Sequence, residues 1–199
     1  MHASELYANW AEFEANILKL MKKLGLDGLK LECDHASLRV NSVEGAEQLK
    51  ADFAKLGDII SDNIINGRPI LIIRLHQPLI LGSMSVPCIE LPFPSDKRYP
   101  QEGWEHIELV LPGADQGEAP GKGSEAQSCE ELAAQLIARV PSLAAVLDGN
   151  TDVKVKMSSP KGEAERLANP TIAFGYQGLT VKVHPHSIEA IVASEQART

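Results

Sequence analysis

Trp104-Glu105-His106-Ile107-Glu108-Leu109-Val110 carries the residue types best suited to chemistry. Read as a β-strand, it sends successive side chains to opposite faces. Glu105, Ile107 and Leu109 share one face, which is mostly oily and calls for a covering helix. His106, Glu108 and Val110 share the other, so an imidazole and a carboxylate stand two residues apart on one surface. Such a pair can bind a metal, exchange protons, or sit in solvent as an ordinary polar pair. Upstream, Asp34-His35-Ala36-Ser37-Leu38-Arg39-Val40 echoes it: an acid, then a histidine, then alternation. There His35, Ser37 and Arg39 form the polar face. The two histidines are separated by 71 positions, a reasonable length for one half of a duplicated fold.

The elements around these strands repeat in the same order. An amphipathic helix is predicted over 4–24, with Leu6, Trp10, Phe13, Ile17, Leu20, Met21 and Leu24 on one stripe, Ser4 as N-cap and Gly25 as terminator. It has no counterpart later and reads as an added prop. Module one, residues 31–94, then runs strand (His35), helix (Val43 to Leu56, ended by Gly57) and three strands. These are Ile59 to Ile65, Ile70 to His76 closed by Pro78, and Met84 to Leu91; Asn66-Gly67 supplies a hairpin turn. Module two, residues 104–185, repeats the order. It has the His106 strand, a helix from Cys129 to Val140 that can extend to Leu147, and strands Val153 to Met157, Thr171 to Tyr176 and Leu179 to His184. A closing helix is expected over 187–196. Pro112 to Ser128 and Ser158 to Asn169 read as loops. Pro160-Lys161-Gly162 with Glu163, Glu165 and Arg166 is either a polar lid or a solvated hairpin loop.

The fold expected is therefore α+β: one domain spanning 1–199, with two β-α-β-β-β modules forming an open, curved mixed sheet or barrel around a shared cavity. Placing the polar strand faces inward towards that cavity is part of the same expectation. Composition narrows the partners. A net charge of −8 with no basic cluster argues against nucleic acid or an anionic membrane surface. No apolar run approaches membrane-spanning length, and no signal peptide is visible. Three widely spaced cysteines, Cys33, Cys88 and Cys129, fit reduced thiols in a cytoplasm and give no zinc-cage pattern. Cys33 and Cys88 share strand faces with His35 and Glu90 but read as small buried hydrophobes.

Several runs together resemble the YecM family of bacterial proteins. They are Asp34-His35-x-Ser37-Leu38-Arg39, Asn66-Gly67-Arg68-Pro69, Glu90-Leu91-Pro92, Lys97-Arg98-Tyr99-Pro100, Glu102 to Glu108, Ser158 to Glu163 and His184-Pro185. The paired modules resemble the wider vicinal oxygen chelate superfamily, which includes glyoxalase I, extradiol dioxygenases and fosfomycin- and bleomycin-resistance proteins. That resemblance implies a divalent metal held by one residue from the first strand and one from the last strand of each module. Carried over, these are His35 and Glu90 from module one and His106 from module two. The superfamily's fourth carboxylate is missing from Leu179-Thr180-Val181-Lys182-Val183-His184. Its free face offers Lys182, whose ammonium repels a cation, and His184, which is left as the substitute.

Two imidazoles and a carboxylate suit zinc, iron, manganese or nickel and leave positions open for a substrate's neighbouring oxygens. On this reading Glu108 is a general base or a supporting partner of the metal site. Arg39 holds a substrate carboxylate, and Arg74 lines the cavity as a second substrate contact. The function expected is that of a metal-dependent enzyme, isomerase-like or oxygenase-like, acting on a small oxygen-rich molecule. The alternatives are a metal-free small-molecule binding protein with the same fold, or an interaction protein with a vestigial pocket.

Overall fold

The apolar stripe of the first helix, α1 (Ala3–Leu24), buries Leu6, Trp10, Phe13, Ile17, Leu20, Met21 and Leu24. Each large side chain buried this way stabilises the fold by about 1.5–3 kcal/mol. Gly25 ends the helix in the left-handed region at φ 72°. Its start differs from expectation: the N-cap is His2, and Ser4 lies inside the helix. The backbone N–H of His2 donates to the Glu5 carboxylate, while the His2 ring and the N–H of Ala3 reach Asp52. The first turn is thus tied down before Ser4 is reached. This computed structural model describes residues 1–65, 67–113, 125–159 and 167–196. The Pro160 to Arg166 stretch read as a lid or loop, Asn66 of the hairpin turn, and 114–124 of the glycine-rich loop lie outside the described residues.

In the first half, β1 (Glu32–Arg39) is followed by α2 (Val43–Phe53), β2 (Gly57–Ile65), β3 (Arg68–Leu81) and β4 (Met84–Pro92). Ser42 caps α2 by accepting from the Gly45 N–H at 3.0 Å. Gly57, expected to end that helix, instead opens β2. An added Cβ there would lie 2.3 Å from the Arg74 carbonyl oxygen, so the strand can approach β3 only because the residue is glycine. Pro78 does not close β3. The register with β4 breaks after Arg74 and resumes at Leu79, so the bulge absorbs the residue that cannot donate.

In the second half, β5 (Gly103–Val110) is followed by α3 (Cys129–Arg139), α4 (Leu143–Leu147), β6 (Lys154–Ser158), β7 (Thr171–Tyr176) and β8 (Leu179–His184). The helix expected to extend to Leu147 is broken because Val140 precedes Pro141 and takes φ −136°, ψ 83°. Finally α5 (Ile188–Gln196) closes the described chain.

The expected α+β architecture is present, with both modules built into one eight-stranded mixed sheet of order β2-β3-β4-β1-β5-β8-β7-β6 that does not close into a barrel. In each half the first strand runs parallel to the last: β1 to β4, β5 to β8. The halves meet antiparallel along β1 and β5. One face carries the main core: Ala36, Leu38, Ile73, Ile89, Ile107, Leu109, Phe174, Val181 and Val183 pack with α1 to α3. Helix α1 straddles both halves, its Trp10 indole N–H donating to Ile80 O at 2.7 Å while the ring meets Trp104 edge-on at 4.8 Å. On the other face β1 and β5 carry the polar residues, while Ile70, Ile72 and Cys88 form a smaller apolar cluster under Val192 of α5.

Candidate metal centre

Two β-bulges along the β1–β5 seam build the site. Between Cys33 and His35 the register skips Asp34, because Cys33 pairs with Leu109 and His35 with Glu108. Between Ser37 and Leu38 it skips Glu105, because Ser37 pairs with His106 and Leu38 with Trp104. A bulge puts two consecutive residues opposite one and lets both lean the same way. Each acid therefore stands beside the histidine that follows it. Asp34 Oδ1 lies 3.1 Å from His35 Nδ1, and Glu105 Oε2 lies 3.5 Å from His106 Nδ1. Simple alternation predicted otherwise. Cys33 belongs to the main core, not to the His35 face, and Glu105 leaves the oily face for the site.

With each Nδ1 facing a carboxylate, the Nε2 atoms face the space between the strands. His35 Nε2 is buried and has no hydrogen-bond partner; Glu108 Oε1 is 3.5 Å away and Glu90 Oε2 is 3.9 Å away. His106 Nε2 lies 3.1 Å from Glu108 Oε1. The rings of His35 and His106 are 6.3 Å apart, centroid to centroid. His35, Glu90 and His106 each present a possible ligand atom within 4.8 Å of the others. Ser37 Oγ donates to Glu90 Oε1 at 2.6 Å, which leaves Oε2 as the oxygen towards His35.

The electrostatics are dense. Burial works against charge on His35, but the Asp34 and Glu108 carboxylates outweigh it and hold the imidazole well above its usual range. Burial likewise opposes ionisation of Asp34, and His35 and His184 outweigh it, leaving that carboxyl below the usual range. Glu108 is desolvated yet drawn well below its usual range by Lys182, His35 and His106. The Lys182 ammonium donates to Glu108 Oε1 at 2.7 Å.

The predicted residues divide into two groups. His35, Glu90, His106 and Glu108 are brought together. His184 approaches from one side, its Nε2 3.2 Å from Asp34 Oδ2 and its Nδ1 3.4 Å from Glu108 Oε2, with its ring 6.1 Å from that of His35. The register does not give it the fourth position. Ser37 pairs with Glu90 in one half and Glu108 with Lys182 in the other, and residues 37 and 108 stand 71 apart like the two histidines. Lys182 is the counterpart of Glu90; His184 pairs one pleat further on, with Val110. Arg39 is engaged by Glu105 at 3.0 Å and by Gly178 O at 3.4 Å. Arg74 is engaged by Glu189 of α5 at 2.6 Å.

Sequence reasoning passed over Asp34, Glu105 and Lys182 as parts of the site. The acid-histidine dipeptide repeated at 34–35 and 105–106 was the available signal for the first two. Asp34 is a hub: it meets His35 and His184 and accepts from the Ile188 N–H at the start of α5.

Comparison with known proteins agrees with the resemblance to the YecM family. Protein YecM of Escherichia coli (strain K12) is 44% identical over 179 residues, covering 90% of this chain and 86% of that protein. An uncharacterized protein of Haemophilus influenzae (Rd) is 40% identical over 189 residues, covering 92% and 90%. The solved structure "Structural Genomics, Protein EC4020" superposes with a TM-score of 0.77 at 38% identity, covering 97% of this chain and 92% of that one. The family described as YecM protein matches residues 2–195, and the chain belongs to that family.

Proposed function

We propose that this protein is a metal-dependent enzyme of the vicinal oxygen chelate type, with His35, Glu90 and His106 as ligands, acting on a small oxygen-rich molecule by isomerase-like or oxygenase-like chemistry. The observation that carries the reading is the convergence of His35, Glu90 and His106, whose possible ligand atoms lie within 4.8 Å of one another, with His35 Nε2 buried between the Glu90 and Glu108 carboxylates. Two imidazoles and one carboxylate fit zinc, iron, manganese or nickel. A bound ion of this kind supplies Lewis-acid polarisation of neighbouring oxygens on the substrate.

The chain's own residues prepare the site. Asp34 accepts from Nδ1–H of His35, which fixes the ring orientation and leaves Nε2 for coordination. Taking up an ion requires His35 to give up its Nε2 proton. Ser37 orients Glu90. Glu108 is ionised and held among His35, His106 and Lys182, which suits it to support the two imidazoles; drawn so far below the usual range, it is a weak general base while those partners stay in place.

The test is elemental analysis of protein purified without chelator or affinity tag. Roughly one divalent ion per chain is expected, and His35→Ala and His106→Ala should each remove it while the circular dichroism spectrum is retained. A metal-free chain that is also not stabilised by added zinc, manganese, nickel or ferrous ion ends the metal reading. One observation favours a metal-free binding protein instead: Lys182 at 2.7 Å compensates Glu108 without any ion. In that case a metabolite would raise the melting temperature of chelator-treated protein.

A further inference from the structure

The two halves of the sheet differ in what covers their site-bearing face. Over β2 to β4, Ile70, Ile72 and Cys88 are packed under Val192 of α5, with Ile188 beside them. At its edges Arg74 meets Glu189 and Asn63 donates to Glu195, each at 2.6 Å. Substrate therefore has no room on that side. Over β8, β7 and β6 the same face carries Lys182 beside Ala173 beside Lys156, and Thr180 beside Gly175 beside Lys154. The alternate residues Ile172, Phe174, Val181 and Val183 are buried in the main core, which sets the orientation of the others. Lys154 and Lys156 are exposed, and Ala173, Gly175 and Thr180 are half-buried between them and Lys182. The floor is thus low in the middle and bounded by ammonium groups at both ends.

No carboxylate stands on this face of β6, β7 or β8 among the described residues, and neither Lys154 nor Lys156 makes an ion pair among them. In a chain of net charge −8, the exposed Lys154 and Lys156, unpaired among the described residues and on one face with the Glu108-bound Lys182, are a local reversal of sign. The nearest acids, Glu90 and Glu108, lie at the metal end, where Lys182 replaces the carboxylate that the first half supplies. Neighbouring strands lie about 4.8 Å apart, so Lys182 and Lys156, two strands apart, are separated by roughly 10 Å at the backbone, within reach of one small molecule.

We infer that the substrate is a small organic dianion: one anionic group sits at the three-ligand site against Lys182, and the other lies over Ala173 and Gly175 between Lys154 and Lys156. This deepens the metal-dependent reading and rests on it. Lys182 is a binding residue here: held by Glu108, it turns a position that would otherwise ligate the metal into one that attracts a negatively charged oxygen. The remaining lysines select substrates by their second charge.

The test uses manganese(II) as the ion and 2-oxoglutarate as the probe, since a 2-oxo acid offers two neighbouring oxygens and a distal carboxylate. Calorimetry first measures Mn(II) binding to each variant, then 2-oxoglutarate binding to the loaded protein. Lys182→Met should weaken 2-oxoglutarate about tenfold or more without weakening Mn(II), whose affinity should hold or rise once the repelling ammonium is gone, and Lys182→Arg should stay within about threefold. The exposed pair Lys154→Gln/Lys156→Gln should weaken it about fivefold and leave Mn(II) unchanged, and it decides the matter should Lys182→Met fail to fold. Absence of Mn(II) binding in the unsubstituted protein overturns the metal reading and this inference with it. Mn(II) bound normally, with no 2-oxoglutarate binding or with an affinity unmoved by the Lys182→Met or the paired substitution, overturns this inference alone.

Discussion

Asp34 Oδ1 lies 3.1 Å from Nδ1 of His35, both residues 1% exposed, and the contact exists because a bulge turns the two neighbours to the same side of β1. The carboxylate makes Nδ1 the protonated nitrogen and hands the other to the site. Asp34→Asn keeps the size and loses the charge. It should weaken the affinity of the centre for zinc or manganese by about 10–100-fold while the fold survives. Competition against a metallochromic chelator measures this. An unchanged affinity would mean that Asp34 holds α5 through Ile188 and does nothing for His35.

Glu105 gives a stability prediction with a defined sign. Burial opposes its ionisation, but His106 and Arg39 outweigh burial and draw the carboxyl from 4.5 down to about 2. Because the folded value is depressed, the stabilisation is fully present above the ordinary carboxylate range and is lost as pH falls through the folded value. Urea unfolding midpoints should therefore drop between about pH 5 and pH 2, by an amount of order 1–3 kcal/mol for this group. Glu105→Gln should flatten that part of the profile. An equal slope in the variant would place the acid sensitivity elsewhere.

Gly57 tests the register that carries Arg74. A Cβ there would meet the Arg74 carbonyl at 2.3 Å, and a backbone oxygen cannot swing away. Gly57→Ala should destabilise by about 1–3 kcal/mol, read as a lowered denaturation midpoint with an unchanged slope. Gly178, with φ 84° and nothing near its Cβ position, is the control for conformational strain without a clash.

The Arg74–Glu189 pair is about half exposed on both sides, so it should contribute little. Arg74→Gln should lower the melting temperature by no more than about 4 °C, since surface pairs are worth about 0–1 kcal/mol. A large loss would show that α5 depends on this pair to stay on the sheet. The apolar contacts of Val192 with Ile70, Ile72 and Cys88 predict otherwise.

Most of the architecture was legible in the chain itself, because it rests on local periodicity. Apolar residues three and four apart drew α1, strict alternation drew β7 and β8 to their observed ends, and the 71-residue echo of acid and histidine announced two related halves. His35, Glu90 and His106 could be brought together on paper only through the resemblance, since nothing local relates positions so far apart. The tertiary structure decided what depends on register. The bulges at Asp34 and Glu105 break the alternation from which faces were assigned, so Cys33 and Glu105 exchanged sides. Strand pairing, not residue type, made Lys182 the second half's counterpart of Glu90 and put His184 one pleat aside. The placement of α5 over one half alone followed from packing between residues more than a hundred positions apart. Pairing and packing at that distance are set by the energy of the whole sheet, which no short window of sequence contains.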